Sequence, residues 1–326
     1  MTFRGILLLL ATLLAAPIAC LAQTAAMPDW QKAAGGKMAF EVASIRLTAP
    51  GTALRPNMPM DDLNRFASTG GLFNATASLD DFVEFAYKIY LAPEQRAALL
   101  GAMPKWAATQ RFTISARATG DPTKDQYRLM MQSLLADRFK MTVHSEKRDM
   151  PVLALVLAKP GKLGPFLRAT ADGPPCNVAG SVPDSMPSPA TGVVGGWSAG
   201  WPYGCDWTGI YPRPNGLMLW GLRNCTMYCL GARLANMPPM DLGRPVVDET
   251  GLSGKFDLAL EWEYIPPASY RPPPSAPEPA AAGAPPDVHG PTLREALENQ
   301  LGLKLKPTNA PVDTLVVDHV EMPSEN

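Results

Sequence analysis

Gly196-Trp197-Ser198-Ala199-Gly200 fits G-x-S-x-G, the nucleophile elbow of serine hydrolases. Such an elbow needs a strand leading in and a helix leading out, so that a strained turn exposes the serine hydroxyl to a general base. The lead-in is SPATGVVGG and the exit is WPYGCDW, where Pro202 and Gly204 oppose an outgoing helix. Only His289 and His319 follow as bases, the first of them inside a proline-rich run. Ser198 is the one catalytic candidate, and the motif itself is read as a product of a glycine-rich loop.

Other chemistry-bearing groups are similarly isolated. His144 alternates outward along a strand pattern, and no two histidines stand at i, i+2 or i, i+4, so no metal site has a local scaffold. Asp80 and Asp81 fall in a first helical turn, where the dipole favours negative charge. Asp61-Asp62 lies in a loop, and Asp248-Glu249-Thr250-Gly251 resembles a turn before a strand. The most suggestive group is aromatic: Trp197, Trp201, Tyr203, Trp207 and Tyr211 fall within 15 residues. Rigid rings on a tethered loop suit carbohydrate stacking or protein contact. Cover for the interface between two halves is the alternative. Neither a metal nor a cofactor is expected.

The near-neutral balance of 326 residues, with a formal net charge of -1, lacks the basic footprint of a nucleic-acid binder. Arg4 followed by the apolar run Ile6 to Ala16 reads as an export signal, with cleavage expected after Ala22. Cys20 raises a lipoprotein alternative, against which Pro17 stands where a lipobox wants an aliphatic residue. The expected location is periplasmic or secreted, without a membrane-spanning segment in the mature chain. Four cysteines then remain, Cys176, Cys205, Cys225 and Cys229, which suggests two disulfides with three possible connectivities. Zinc is the rival reading of the C-x₃-C pair Cys225 and Cys229.

The elements that position these groups repeat. Thr123 with Gln126, and Thr292 with Glu295, form capping boxes ahead of helical apolar spacing, the second helix stopped by Gly302. Ser78 and Thr226 cap two further helices. RFTISARA and KFDLALEWEY alternate with period 2 as half-buried strands. FKMTVHSEKRDMPVLALVL and LKLKPTNAPVDTLVV each read as two strands joined by a turn. The expected architecture is α+β: two pseudo-repeated strand–helix–strand–helix–hairpin halves, at 23–159 and 216–326, whose antiparallel or mixed sheets are backed by helices. A Gly/Pro/Trp-rich insertion (160–215) joins them, and a Pro/Ala-rich excursion (265–291) interrupts the second.

FEVASIR (40–46), QYRLMMQSLLADRFKMTVHSEKRDMPVLALVLAK, GRPVVDETGLSGKFDLALEWE and the ending LVVDHVEMPSEN resemble one family, the exported, soil-associated paralogous proteins of Acidobacteria, a domain of unknown function. The resemblance covers nearly all of the chain after the signal except the two insertions. It implies no catalytic residues. A similar domain sometimes follows antibiotic-sensor-type membrane zinc peptidases, which implies extracytoplasmic sensing or binding, by analogy alone. TLREALENQLGLKLKP is also similar to the small N-terminal domains of secretins and TonB-dependent receptors. The expected function is a non-catalytic binding or sensing module for a protein or an envelope or extracellular polymer. A serine hydrolase using Ser198 and a purely structural envelope protein are the alternatives.

Overall fold

The computed structural model describes residues 27–49, 55–63, 66–170, 197–198, 201–202, 208–213, 217–236, 242–263 and 290–323, with the backbone alone for 197–198, 201–202 and 208–212. The strands are β1 (Val42–Leu47), β2 (Leu72–Ser78), β3 (Arg111–Arg117), β4 (Thr142–Leu157), β5 (Leu167–Ala169), β6 (Trp197–Ser198), β7 (Trp201–Pro202), β8 (Thr208–Pro212), β9 (Leu217–Cys225), β10 (Val246–Asp248), β11 (Phe256–Glu263) and β12 (Leu303–His319). The helices are α1 (Asp29–Ala33), α2 (Leu79–Tyr87), α3 (Pro93–Gly101), α4 (Lys105–Thr109), α5 (Lys124–Arg138), α6 (Met227–Asn236) and α7 (Leu293–Ala296), the last continuing as π-turns over Leu297–Leu301. The fold is α+β, as expected. Residues 1–22, expected to be an export signal, most of the insertion and nearly all of the excursion lie outside the described residues.

The helix starts follow from their caps. Thr123 accepts from the Gln126 N–H while the Gln126 side chain accepts from the Thr123 N–H at 2.8 Å, and Thr292 with Glu295 does the same. Ser78 is closed by Asp81, and Thr226 Oγ1 accepts from the Cys229 N–H at 3.1 Å. In β3, Phe112, Ile114 and Ala116 are buried and Arg111 and Arg117 exposed, the alternation of a sheet wet on one face. The first sheet runs β1-β3-β2, antiparallel, with α2 and α5 over it. Its core holds Phe73, Phe82, Phe85, Phe112, Tyr127 and Phe139. A second sheet, β5-β11-β9-β8, carries a separate core around Trp220, Leu230, Leu258, Trp262 and Leu301.

The two runs expected to turn do not turn. Each is one continuous strand, and β4 pairs antiparallel with β12 from Leu303↔Leu157 to His319↔Thr142. At one end of this ribbon Met141 and Val317 complete the first core; at the other Leu153, Leu155, Leu303 and Leu305 complete the second. Between them Lys147, Arg148 and Asp149 face Asp313, Val312 and Pro311, largely in solvent. The polar run that resembles a turn is polar because both faces of the ribbon are wet there. Neither core is complete without a strand that begins in the other.

The π-turns put Gln300 against the open edge of β11. Its side-chain amide accepts from the Glu261 N–H at 2.9 Å and donates to the Glu261 carbonyl at 2.6 Å, as a neighbouring strand would. Gln300→Ala leaves both backbone groups of Glu261 without that partner and is expected to cost about 1–3 kcal/mol, read as a lower urea midpoint. An unchanged midpoint would show that water replaces the amide without loss.

Candidate functional site

A cleft of about 440 Å³ lies where elements of both cores meet. The first half contributes Trp30 from α1, Asp62 and Leu63 from the loop before β2, with the Leu63 side chain packed against the second core, and Tyr87, Lys88 and Ile89 at the end of α2. The second contributes Asn224 and Cys225 at the end of β9, Thr226, Tyr228 and Cys229 at the start of α6, and Lys255 before β11.

Two of these residues hold backbone conformations that side chains disfavour. Lys88 (φ 55°) ends α2 and Asn224 (φ 61°) precedes Cys225, and among the described residues only Lys140 is a further non-glycine of this kind. Left-handed non-glycine residues persist where surrounding contacts over-determine them. Those contacts are visible: Lys88 Nζ lies 3.0 Å from both oxygens of Asp125 and 5.3 Å from the Trp30 ring centroid, and the Asn224 N–H donates to Asp257 at 3.2 Å. Burial lowers the Lys88 pKa, with Asp125 opposing. Burial pushes the Tyr87 phenol up to about 12, so it stays protonated and able to donate a hydrogen bond. Tyr228 is 60% exposed, and Lys255 is exposed without an ion-pair partner among the described residues.

Beneath the cleft a buried charge network joins the cores. Arg128, fully buried, donates to the Asp61 and Leu63 carbonyls at 2.8 and 2.7 Å and pairs with Asp125. Lys124 pairs with Asp61, and burial brings its pKa down to about 8 although Asp61 opposes the shift. Asp62 pairs with Arg233 of α6, whose guanidinium lies 4.5 Å from the Tyr90 ring centroid. Asp61-Asp62 is thus a structural anchor with each acid on its own cation. Asp80, Asp81 and Glu84 of α2, by contrast, share the single cation Arg96.

Of the residues singled out in the sequence, Cys225, Cys229 and Asp62 line the cleft, and Ser198 and His144 do not. Ser198 lies in β6, paired with Trp201 of β7, so the chain returns as a strand where an elbow would need a helix. Trp197, Trp201 and Tyr211 fall in β6, β7 and β8, and Tyr203 and Trp207 lie outside the described residues, as do Cys20, Cys176, Cys205 and His289. Cys225 and Cys229 are bridged to each other, with Cα atoms 5.7 Å apart, so the C-x₃-C pair reads as a disulfide and not as two zinc thiolates. His144 pairs with Asp318 on the ribbon surface, and Asp318 raises its pKa. Among the described residues no three His, Cys, Asp or Glu side chains gather as a metal site would require, and no helix is long and apolar enough to cross a membrane. Sequence reasoning missed Trp30, Tyr87, Lys88, Asn224, Tyr228 and Lys255. Only Trp30, a lone large ring in the polar segment PDWQKA, carried a signal.

Two cores sharing one β-ribbon, with a disulfide-lined cleft between them, define the class of molecule. Residues 80–320 match the family described as protein of unknown function (DUF3738), more than half of the chain, and the protein belongs to that family. No curated protein and no solved structure matches it.

Proposed function

We propose that this is an exported, non-catalytic binding module of the periplasm or cell exterior, whose cleft takes a segment of an acidic sugar polymer. The observation that carries the reading is the composition of the cleft: the rings of Trp30, Tyr87 and Tyr228 stand with the exposed cation Lys255 around one opening built from both cores, while Lys88 is held by Asp125. Aromatic faces stack on the apolar faces of sugar rings, and ammonium groups pair with their carboxylates. The resemblance to exported, soil-associated acidobacterial proteins, and to domains that follow antibiotic-sensor-type peptidases, supports the extracytoplasmic placement. The aromatic run from Trp197 to Tyr211, read from the sequence alone, is a further candidate for stacking on such a polymer.

The test is calorimetric titration of the full chain with oligogalacturonate and with a neutral oligoglucoside of equal length. The acidic oligomer is expected to bind and the neutral one to bind at least tenfold more weakly. Trp30→Ala should weaken the acidic oligomer about tenfold, equivalent to about 1.4 kcal/mol. Lys255→Gln should weaken it and flatten its salt dependence. Equal affinity for the two oligomers, or no heat from either, would overturn the reading.

A further inference from the structure

The Cys225–Cys229 bridge has the wrong placement for a staple. It closes a loop only four residues apart in sequence, across a strand end and a helix start that Thr226 already caps. A cross-link between residues that local structure holds together constrains the unfolded chain little. It ties neither core to the other, and it does not reach the ribbon.

Its placement suits chemistry better. Both cysteines line the cleft. Cys229 is the more accessible at 9% against 4% for Cys225. Cys225 stands just before the N-terminus of α6, a ten-residue helix, where the N–H groups of Met227 and Tyr228 have no intrahelical acceptor. A thiolate released there meets the positive end of the helix dipole, and Lys255, which precedes the cross-strand partner Phe256 of Cys225, lines the same cleft. A thiolate so placed is a good leaving group.

We propose that Cys225–Cys229 is a thiol–disulfide exchange site that a partner dithiol reaches through the cleft. A thiolate of the partner attacks Cys229 Sγ. The Cys225–Cys229 bond breaks, a mixed disulfide forms on Cys229, and Cys225 leaves as the thiolate at the start of α6. The partner's second thiol gives its proton to water and attacks the partner's own sulfur in the mixed disulfide, expelling the Cys229 thiolate. The partner ends as a disulfide, the bridge as two thiols once protonated, and two electrons have moved from one to the other. The inference shares with the binding reading only the premise that the cleft is open to solutes.

The test follows reduction of the oxidised full chain by dithiothreitol at neutral pH, with differential alkylation and mass measurement of the peptide bearing both cysteines. The bridge in the folded protein is expected to open at least tenfold faster than the same bridge in urea-unfolded chain. A bridge that resists until the chain unfolds would overturn the proposal. In a second measurement reduced glutathione added to the oxidised full chain, with acid quenching and peptide mapping, should form its mixed disulfide on Cys229 at least tenfold faster than on Cys225. Equal or reversed rates would overturn the assignment of Cys229 as the attacked sulfur. A resistant bridge in a protein that binds oligogalacturonate sinks this inference alone, whereas rapid exchange without oligosaccharide binding sinks the binding reading alone.

Discussion

Replacing Arg233 by methionine is expected to cost the fold about 3–5 kcal/mol, because Asp62 would be left charged and buried without its partner. The two side chains are 4% and 8% exposed, so water cannot take the place of the guanidinium. The substitution also removes the cation lying over Tyr90, worth about 0.5–1 kcal/mol or more when desolvated. Urea unfolding reads the loss directly. The double variant Arg233→Met with Asp62→Leu should recover most of it, since a buried pair replaced as a unit by apolar residues is often neutral or stabilising. A single-variant loss below about 1 kcal/mol would mean that Asp62 reaches water, and the pair would no longer count as the tie between α6 and the first core. The location of the pair matters more than its net energy. It joins the loop before β2, itself held by Arg128, to the helix whose first turn carries Tyr228 and Cys229. Loosening it should therefore change the cleft before either core melts.

That tie shows what a linear reading of the chain reaches and what it misses. The caps at Ser78, Thr123, Thr226 and Thr292 were legible because a cap and its partner lie three residues apart. The strand β3 was legible from its alternation. β2 escaped because its buried stretch, Ala75, Thr76 and Ala77, is made of small residues buried on successive positions, which gives no period. α3 and α4 escaped because few of their residues are buried: Gln95 and Leu99 in one, Ala107 in the other. Local pattern gives the ribbon as two hairpins because it reports polarity and not the identity of the pairing strand. The register of β4 with β12 joins residues as far apart as Thr142 and His319. The cleft was the least legible part. Its walls come from segments spread between Pro28 and Lys255, and no spacing rule connects residues that meet only because two cores share a ribbon. The cysteine count left three pairings open, and a bond between the two cysteines nearest in sequence was one that counting could not select.

Between pH 5 and 8 the wild-type protein should lose stability as pH rises, and Glu84→Gln should remove most of that loss. Arg96 faces three carboxylates, with Glu84 Oε1 at 2.5 Å, Asp81 at 3.3 Å and Asp80 in contact, so one cation is set against three acids. Glu84 and Asp80 are each only 6% exposed. Burial raises the Glu84 carboxyl from 4.5 to about 7, while Arg96 and the Leu91 N–H pull the other way and the two aspartates add to the rise. The sign follows from proton uptake on folding. The folded state binds this proton more tightly than the unfolded one, so its contribution is fully present below about pH 4.5 and is lost as pH rises through about 7. At about 1.4 kcal/mol per unit, the full swing is about 3 kcal/mol. Glutamine keeps an acceptor for Leu91 and cannot ionise, and Arg96 retains Asp80 and Asp81. The variant should therefore match the wild type near pH 5 and exceed it by about 1–3 kcal/mol at pH 8, read from urea midpoints at unit intervals. His144, raised by Asp318, drives a decline of the same sign, but it is present in both proteins and cancels in the comparison. Lys124, brought down to about 8, acts in the opposite direction above that pH, which is why the comparison ends there. Parallel slopes in the two proteins would show that the guanidinium fully offsets the burial of Glu84 and that all three acids on Arg96 are ionised together.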